Sequence, residues 1–82
     1  MILDILGSEG NLASASNVDR AKLVRVLNNK TSVQVITLKN AGGTTLGTIT
    51  LAAGEVVIME KEHTDTLTGA STSLAVAVAY KN

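Results

Sequence analysis

The run SLAVAVAY, residues 73–80, sets Leu74, Val76, Val78 and Tyr80 against Ala75, Ala77 and Ala79. Strict alternation sends these two sets to opposite faces of an extended chain, whereas a helix would group apolar residues three and four apart. The same period of two recurs upstream in RAKLVRVLN (20–28), SVQVITLK (32–39) and TTLGTITL (44–51). Between these runs stand NNK, NAGG and AAGE, whose Asn and Gly suit the positive φ of tight turns. No segment carries a helical period. The pattern therefore predicts an all-β fold: a small antiparallel β-sandwich or barrel of five to six short strands. Gly47, inside TTLGTITL, marks a bulge or a close backbone approach. VVIME (56–60) is apolar on both faces, which predicts a central strand buried on two sides or one sealed by a partner.

At 82 residues the chain makes one domain with little surface to spare. It has no cysteine, which removes disulfides, thiolate zinc sites and thiol catalysis. Tyr80 is its only aromatic residue. A core of Ala, Val, Leu and Ile alone is thin, so part of the stability is expected from association, as a homo-oligomer or a subunit of a larger assembly. With no proline, the sheet edges lack one usual guard against pairing.

The domain reading is an N-terminal arm, residues 1–19, followed by a β domain, residues 20–82. The arm begins apolar, with Ile2, Leu3, Ile5 and Leu6, and turns to the Gly, Ser and Asn of GSEGNLASASNVD. Its apolar end requires a docking place, either on its own domain or on a neighbouring subunit. Asp4 within that short run and the lack of basic residues before it are unlike a secretory signal, and no run is long enough to span a bilayer. No membrane partner is expected.

Formal net charge is zero, which argues against a nucleic-acid partner. Platforms for single strands also stack bases on aromatic side chains, and Tyr80 stands alone. The charges are unevenly placed: Arg20, Lys22, Arg25, Lys30 and Lys39 lie in the first half, while Glu55, Glu60, Glu62 and Asp65 gather around Lys61. Complementary patches of this kind suit contacts between identical subunits.

GEVVIMEKEHTD (54–65) holds the only histidine, and Glu60, Glu62, His63 and Asp65 all carry groups capable of metal ligation or proton transfer. Glu60 and Glu62 share a strand face while His63 begins the turn, and no second His or Cys completes a zinc set. The segment reads as a solvated strand end in which Asp65 bonds backbone N–H groups and shapes the turn. Ser71 and Ser73 lie far from His63 in sequence, there is no nucleophile elbow, and NAGGTTLG lacks the pattern of a phosphate cradle. No catalytic residue, metal ligand or cofactor site is assigned, and the chain is not expected to be an enzyme. The candidate subunit contacts are Ile2, Leu3, Ile5, Leu6, Arg20, Lys22, Arg25, Glu60, Glu62 and Tyr80.

VITLKNAGGTTLGTITLAAGEVVIMEKEHTDTLTGASTSLAVAVAY resembles small β-rich virion proteins of tailed bacteriophages, particularly phages of marine bacteria and cyanobacteria. The matching elements are a strand ending in a Gly turn, the G-T-I-T-L strand, the A-G-E turn, V-V-I-M-E-K, T-D-T-L and a final A-V-A-Y, together covering residues 20–81. The resemblance implies a non-enzymatic structural subunit located in the virion. The leading expectation is a capsid decoration or cement protein that contacts the major capsid protein, other virion proteins and its own copies. A neck or tail component, or a receptor- or glycan-binding module, is the alternative.

Overall fold

The computed structural model describes residues 2–81, so Met1 and Asn82, the outermost residues of the expected arm and domain, lie outside the described residues. The chain is all-β, with eight strands: β1 (Ile2–Ile5), β2 (Gly10–Asn11), β3 (Leu23–Asn28), β4 (Gln34–Lys39), β5 (Thr45–Leu51), β6 (Val56–Glu60), β7 (Thr66–Thr68) and β8 (Ser73–Lys81). Six lie in the expected β domain, and the arm supplies the other two. Every pairing is antiparallel. One sheet runs β1-β8-β3-β6, with β2 beside β1 on the same edge of β8; the other runs β5-β4-β7. Two layers about 10 Å apart account for the flattened outline of 33 × 31 × 19 Å.

The alternation in the sequence is the alternation in the fold. Val24 and Val26 of β3, Ile36 of β4, Leu51 of β5, Leu67 of β7 and Ala75 and Ala77 of β8 meet between the sheets. The alanines let the larger leucine and isoleucine side chains of the other sheet approach closely. Leu12, which follows β2, is only 1% exposed and plugs this core from the arm.

At the β4–β5 hairpin, Asn40 Oδ1 accepts from the N–H groups of Gly42 and Thr44, and Gly43 takes φ +87°. Register then slips: Leu38 faces Gly47 but Lys39 faces Thr45, leaving Leu46 unpaired as a bulge. A Cβ at Gly47 would meet nothing within 4 Å, so that glycine accompanies a bulge and not a close approach.

Two expectations are corrected. Residues 20–22 do not extend the third strand: Val18, Asp19 and Arg20 form a left-handed turn with φ of 52°, 56° and 59°. For L-residues that conformation costs about 1–2 kcal/mol each, and for a β-branched residue such as Val18 it is an outlier. Ser16 Oγ accepts from the Val18 N–H, Asn17 Oδ1 from the Arg20 N–H, and Val18 O from the Ala21 N–H, while the Val18 side chain is buried in the core. The second correction concerns β6. It is an edge strand, paired only with β3, and not a central strand. Its inner side chains Val57 and Met59 pack on the core, while Val56 and Ile58 point the other way, and Val56 is exposed.

The chain changes sheets four times, between β3 and β4, β5 and β6, β6 and β7, and β7 and β8. Among the described residues, the five buried polar ones all sit at these corners. Asn28 joins the first two. Its Nδ2 donates to Ser32 O (2.9 Å), Leu51 O (3.1 Å) and Ala52 O (3.0 Å), and its Oδ1 accepts from the Lys30 N–H. At the third corner Lys61 Nζ donates to Ala21 O (2.6 Å) and Glu62 O (3.2 Å), and Asp65 Oδ2 accepts from the Glu62 N–H. Burial of Lys61 lowers its pKa from the ordinary lysine value, with the Asp65 charge opposing part of that effect. At the fourth, Ser73 Oγ donates to Gln34 Oε1 on the other sheet and accepts from the Ala70 N–H, while Gln34 Nε2 donates to Thr72 Oγ1. Among the described residues no buried side-chain nitrogen or oxygen lacks a partner.

Residues 10–16 close one side of the sandwich. Gly10 and Asn11 pair with β8, and Ser16 pairs with Leu67 of β7 in the opposite sheet. The other side stays open, because β5 and β6 do not pair. Ile36, Leu38, Ile49, Met59 and Leu67 line the groove between them, about 240 Å³ in volume.

Candidate interaction surfaces

Since the even-numbered residues of β3 and the odd-numbered residues of β6 face the core, their alternates form the outer face of the larger sheet. Leu23, Arg25 and Leu27 of β3 stand opposite Glu60, Ile58 and Val56 of β6. On the other flank Arg25 faces Val76, and Leu27 faces Leu74, of β8. Beyond β8, Leu3 pairs with Tyr80 and Ile5 with Val78. The result is an apolar surface across four strands, broken by Arg25 near its centre. The Arg25 guanidinium is held 3.4 Å from Glu9 of the arm.

Val76 and Val78 are buried although they lie on this outer face, because Leu3, Ile5, Glu9 and Arg25 surround them in a shallow concavity of about 440 Å³. Leu3, Ile5 and Arg25, three of the expected contacts, thus meet in one place. Ile5 is 76% exposed, so the arm covers the valines while leaving its own side chain to solvent.

A second group forms around Tyr80. Leu6, Asp19, Arg20, Lys22, Leu23, Val78 and Tyr80 share a concavity of about 470 Å³, and Lys22, Leu23, Glu60, Lys61, Glu62 and Tyr80 share an adjoining one of about 370 Å³. The exposed tyrosine therefore lies between a mainly basic side, where Arg20 and Lys22 stand with Asp19, and an acidic side formed by Glu60 and Glu62, where the one base, Lys61, is buried. None of Arg20, Lys22, Glu60 and Glu62 belongs to either ion pair found among the described residues, Arg25–Glu9 and Lys81–Asp4. Nine of the ten expected contacts fall in these two neighbouring regions; Ile2, exposed at the start of β1, lines neither.

His63 is exposed in the β6–β7 turn, and among the described residues no three His, Asp or Glu side chains come together as a metal site. Asp65 takes the turn-shaping role read from HTDT: its N–H donates to Glu62 O, and its carboxylate accepts from the Glu62 N–H. Lys61, by contrast, reads in sequence as one more solvated charge and is buried. A single base flanked by Glu60 and Glu62 at the end of an apolar strand was the only sign of it. Leu23, Leu27, Val56 and Ile58 were legible as alternating residues but not as members of one exposed face, which depends on strand order.

No protein-family model, curated protein or solved structure matches the chain.

Proposed function

We propose that this protein is a non-enzymatic structural subunit of a tailed-phage virion, a capsid decoration or cement protein that packs on the major capsid protein and on its own copies. The observation that carries this reading is the outer face of the larger sheet. It is apolar over four strands, centred on a bound Arg25–Glu9 pair, and flanked at Tyr80 by unpaired charges of both signs. The buried polar groups are engaged in fixing the corners where the chain changes sheets.

Magnitude shapes the mechanism. Four strands about 4.8 Å apart over some five residues give a face of roughly 300 Å² in projection, well below the ~800 Å² per partner of a self-sufficient interface. One such contact is weak. On a lattice, each subunit touches several neighbours, and linked weak contacts add up to firm retention. The mainly basic side and the acidic side of Tyr80 suit a partner that presents the reverse pattern, including a second copy related by a two-fold axis.

The test is co-sedimentation of purified protein with capsids that lack it. Tyr80→Ser and the double charge reversal Glu60→Lys/Glu62→Lys should each lower occupancy at least tenfold while leaving the thermal transition in place. Undiminished occupancy of both variants, or saturable binding to a glycan in place of capsids, would refute the proposal.

A further inference from the structure

The arm is joined to the domain by the one run of left-handed non-glycine backbone among the described residues. Val18, Asp19 and Arg20 are three successive left-handed residues, none of them glycine. A run of this kind persists only where the surroundings hold it. Here the hold is the buried Val18 side chain together with short-range bonds from Ser16, Asn17 and Ala21.

What lies before the turn docks mainly on residues 67–81, with one further contact from Glu9 to Arg25 of β3. β1 and β2 pair with β8, the Leu6 N–H donates to Ala77 O, the Leu12 N–H to Ser73 O, and Ser16 pairs with Leu67. The docking buries Leu12 and covers Val76 and Val78 of β8, while Ile2, Ile5 and Leu6 of the arm remain exposed. Opening the arm exposes Leu12, Val76 and Val78, a cost that is recovered when an equivalent arm docks in its place. The Gly- and Ser-rich stretch 7–16 gives the arm freedom once it has left.

From these observations we propose that residues 2–17 exchange between copies of this chain. The arm of one copy takes the place of the arm of another on the β7–β8 segment, and residues 18–20 straighten as it does so. Every arm contact is remade on the partner, so the closed and exchanged forms differ chiefly in the turn, where exchange relieves the left-handed backbone and gives up some of the Val18 packing. Strain in a short hinge is what favours an exchanged dimer over two closed monomers. This inference is independent of the virion reading, since purified protein alone tests it.

A disulfide reports which chain an arm occupies. Leu3 and Tyr80 are cross-strand partners, as are Ile5 and Val78. The Leu6 to Ala77 bond places both couples at non-hydrogen-bonded positions, where Cα atoms lie close enough for a disulfide. The chain has no cysteine of its own. The variant Leu3→Cys/Tyr80→Cys, concentrated and then oxidised, should run as covalent dimers or higher closed species on a non-reducing denaturing gel. Ile5→Cys/Val78→Cys serves if the first variant does not fold. Adding Asp19→Gly and Arg20→Gly relaxes the hinge in the closed form, and should lower the cross-linked fraction by at least about tenfold. Only intrachain bridges at every concentration would overturn the proposal, as would a cross-linked fraction indifferent to the glycines. A dimer in solution that yields intrachain bridges alone would identify ordinary surface association and count against exchange.

Discussion

Asn28 is fully buried where two sheet-crossing corners meet, and its amide nitrogen faces three backbone carbonyls. Two amide hydrogens serve those three acceptors, and Oδ1 holds the Lys30 N–H. Asn28→Ala removes two donors and one acceptor at about 1 kcal/mol each, and leaves the buried Leu51 carbonyl short of a partner at a further cost of about 1 kcal/mol. The expected loss is about 3–4 kcal/mol, out of the ~4–12 kcal/mol typical of a domain this size. In a thermal scan followed by far-ultraviolet circular dichroism, that corresponds to a fall in Tm of roughly 15–25 °C. Asn28→Asp sharpens the test. A carboxylate cannot donate and would confront three carbonyl oxygens, so at pH 7 this variant should be less stable than Asn28→Ala. Its folded-state pKa would be raised above the unfolded value near 3.9. A raised folded pKa places the stability below the unfolded pKa and removes it as pH rises through the folded one, so Asn28→Asp should recover near pH 4 while Asn28→Ala should not. A loss below 1 kcal/mol for the alanine variant, or equal pH profiles for the two, would refute the assigned role of Asn28.

Leu12→Ala should cost about 2–5 kcal/mol by urea unfolding, because it empties a site in the core; it should also speed hydrogen exchange in residues 2–16 ahead of the rest. Gly69→Ala should cost about 1–3 kcal/mol, since its Cβ would stand 2.7 Å from Ser73 Oγ and 2.8 Å from Ile36 Cδ1. Lys61 supplies a pH dependence. Its folded pKa is lowered by burial, so in the window below about 10.5 the unfolded chain binds more protons, and stability rises with pH there. Relative to Lys61→Met, the wild type should gain stability as pH rises toward 10.5, and a parallel pair of curves would contradict the burial of a charged Lys61.

The fold class was legible because every strand with one face on the core carries its own period of two, as RAKLVRVLN, SVQVITLK and SLAVAVAY do. The three turns were legible through Asn and Gly. VVIME misled because an edge strand can be apolar on both sides when its outer face belongs to a continuous exposed surface. That surface is a property of strand order, which no local pattern encodes. The turn at Val18 to Arg20 gave no sign in sequence, since glycine, the usual marker of left-handed backbone, is absent and tertiary burial of Val18 holds the conformation. Asn28 read as a turn residue, and Ser73 as the first residue of the last strand. Only the sheet-crossing topology shows that their side chains reach inward.

The central proposal, that the chain works as a repeated virion subunit through the outer face of its larger sheet, is tested most directly by a cryo-electron microscopy map of tailed-phage capsids incubated with the purified protein. The expected map shows the protein in many symmetry-related copies on the capsid, with Val56, Ile58, Leu74 and Tyr80 covered by a neighbour. Absence from the particle, or copies seated with that face open to solvent, would contradict it.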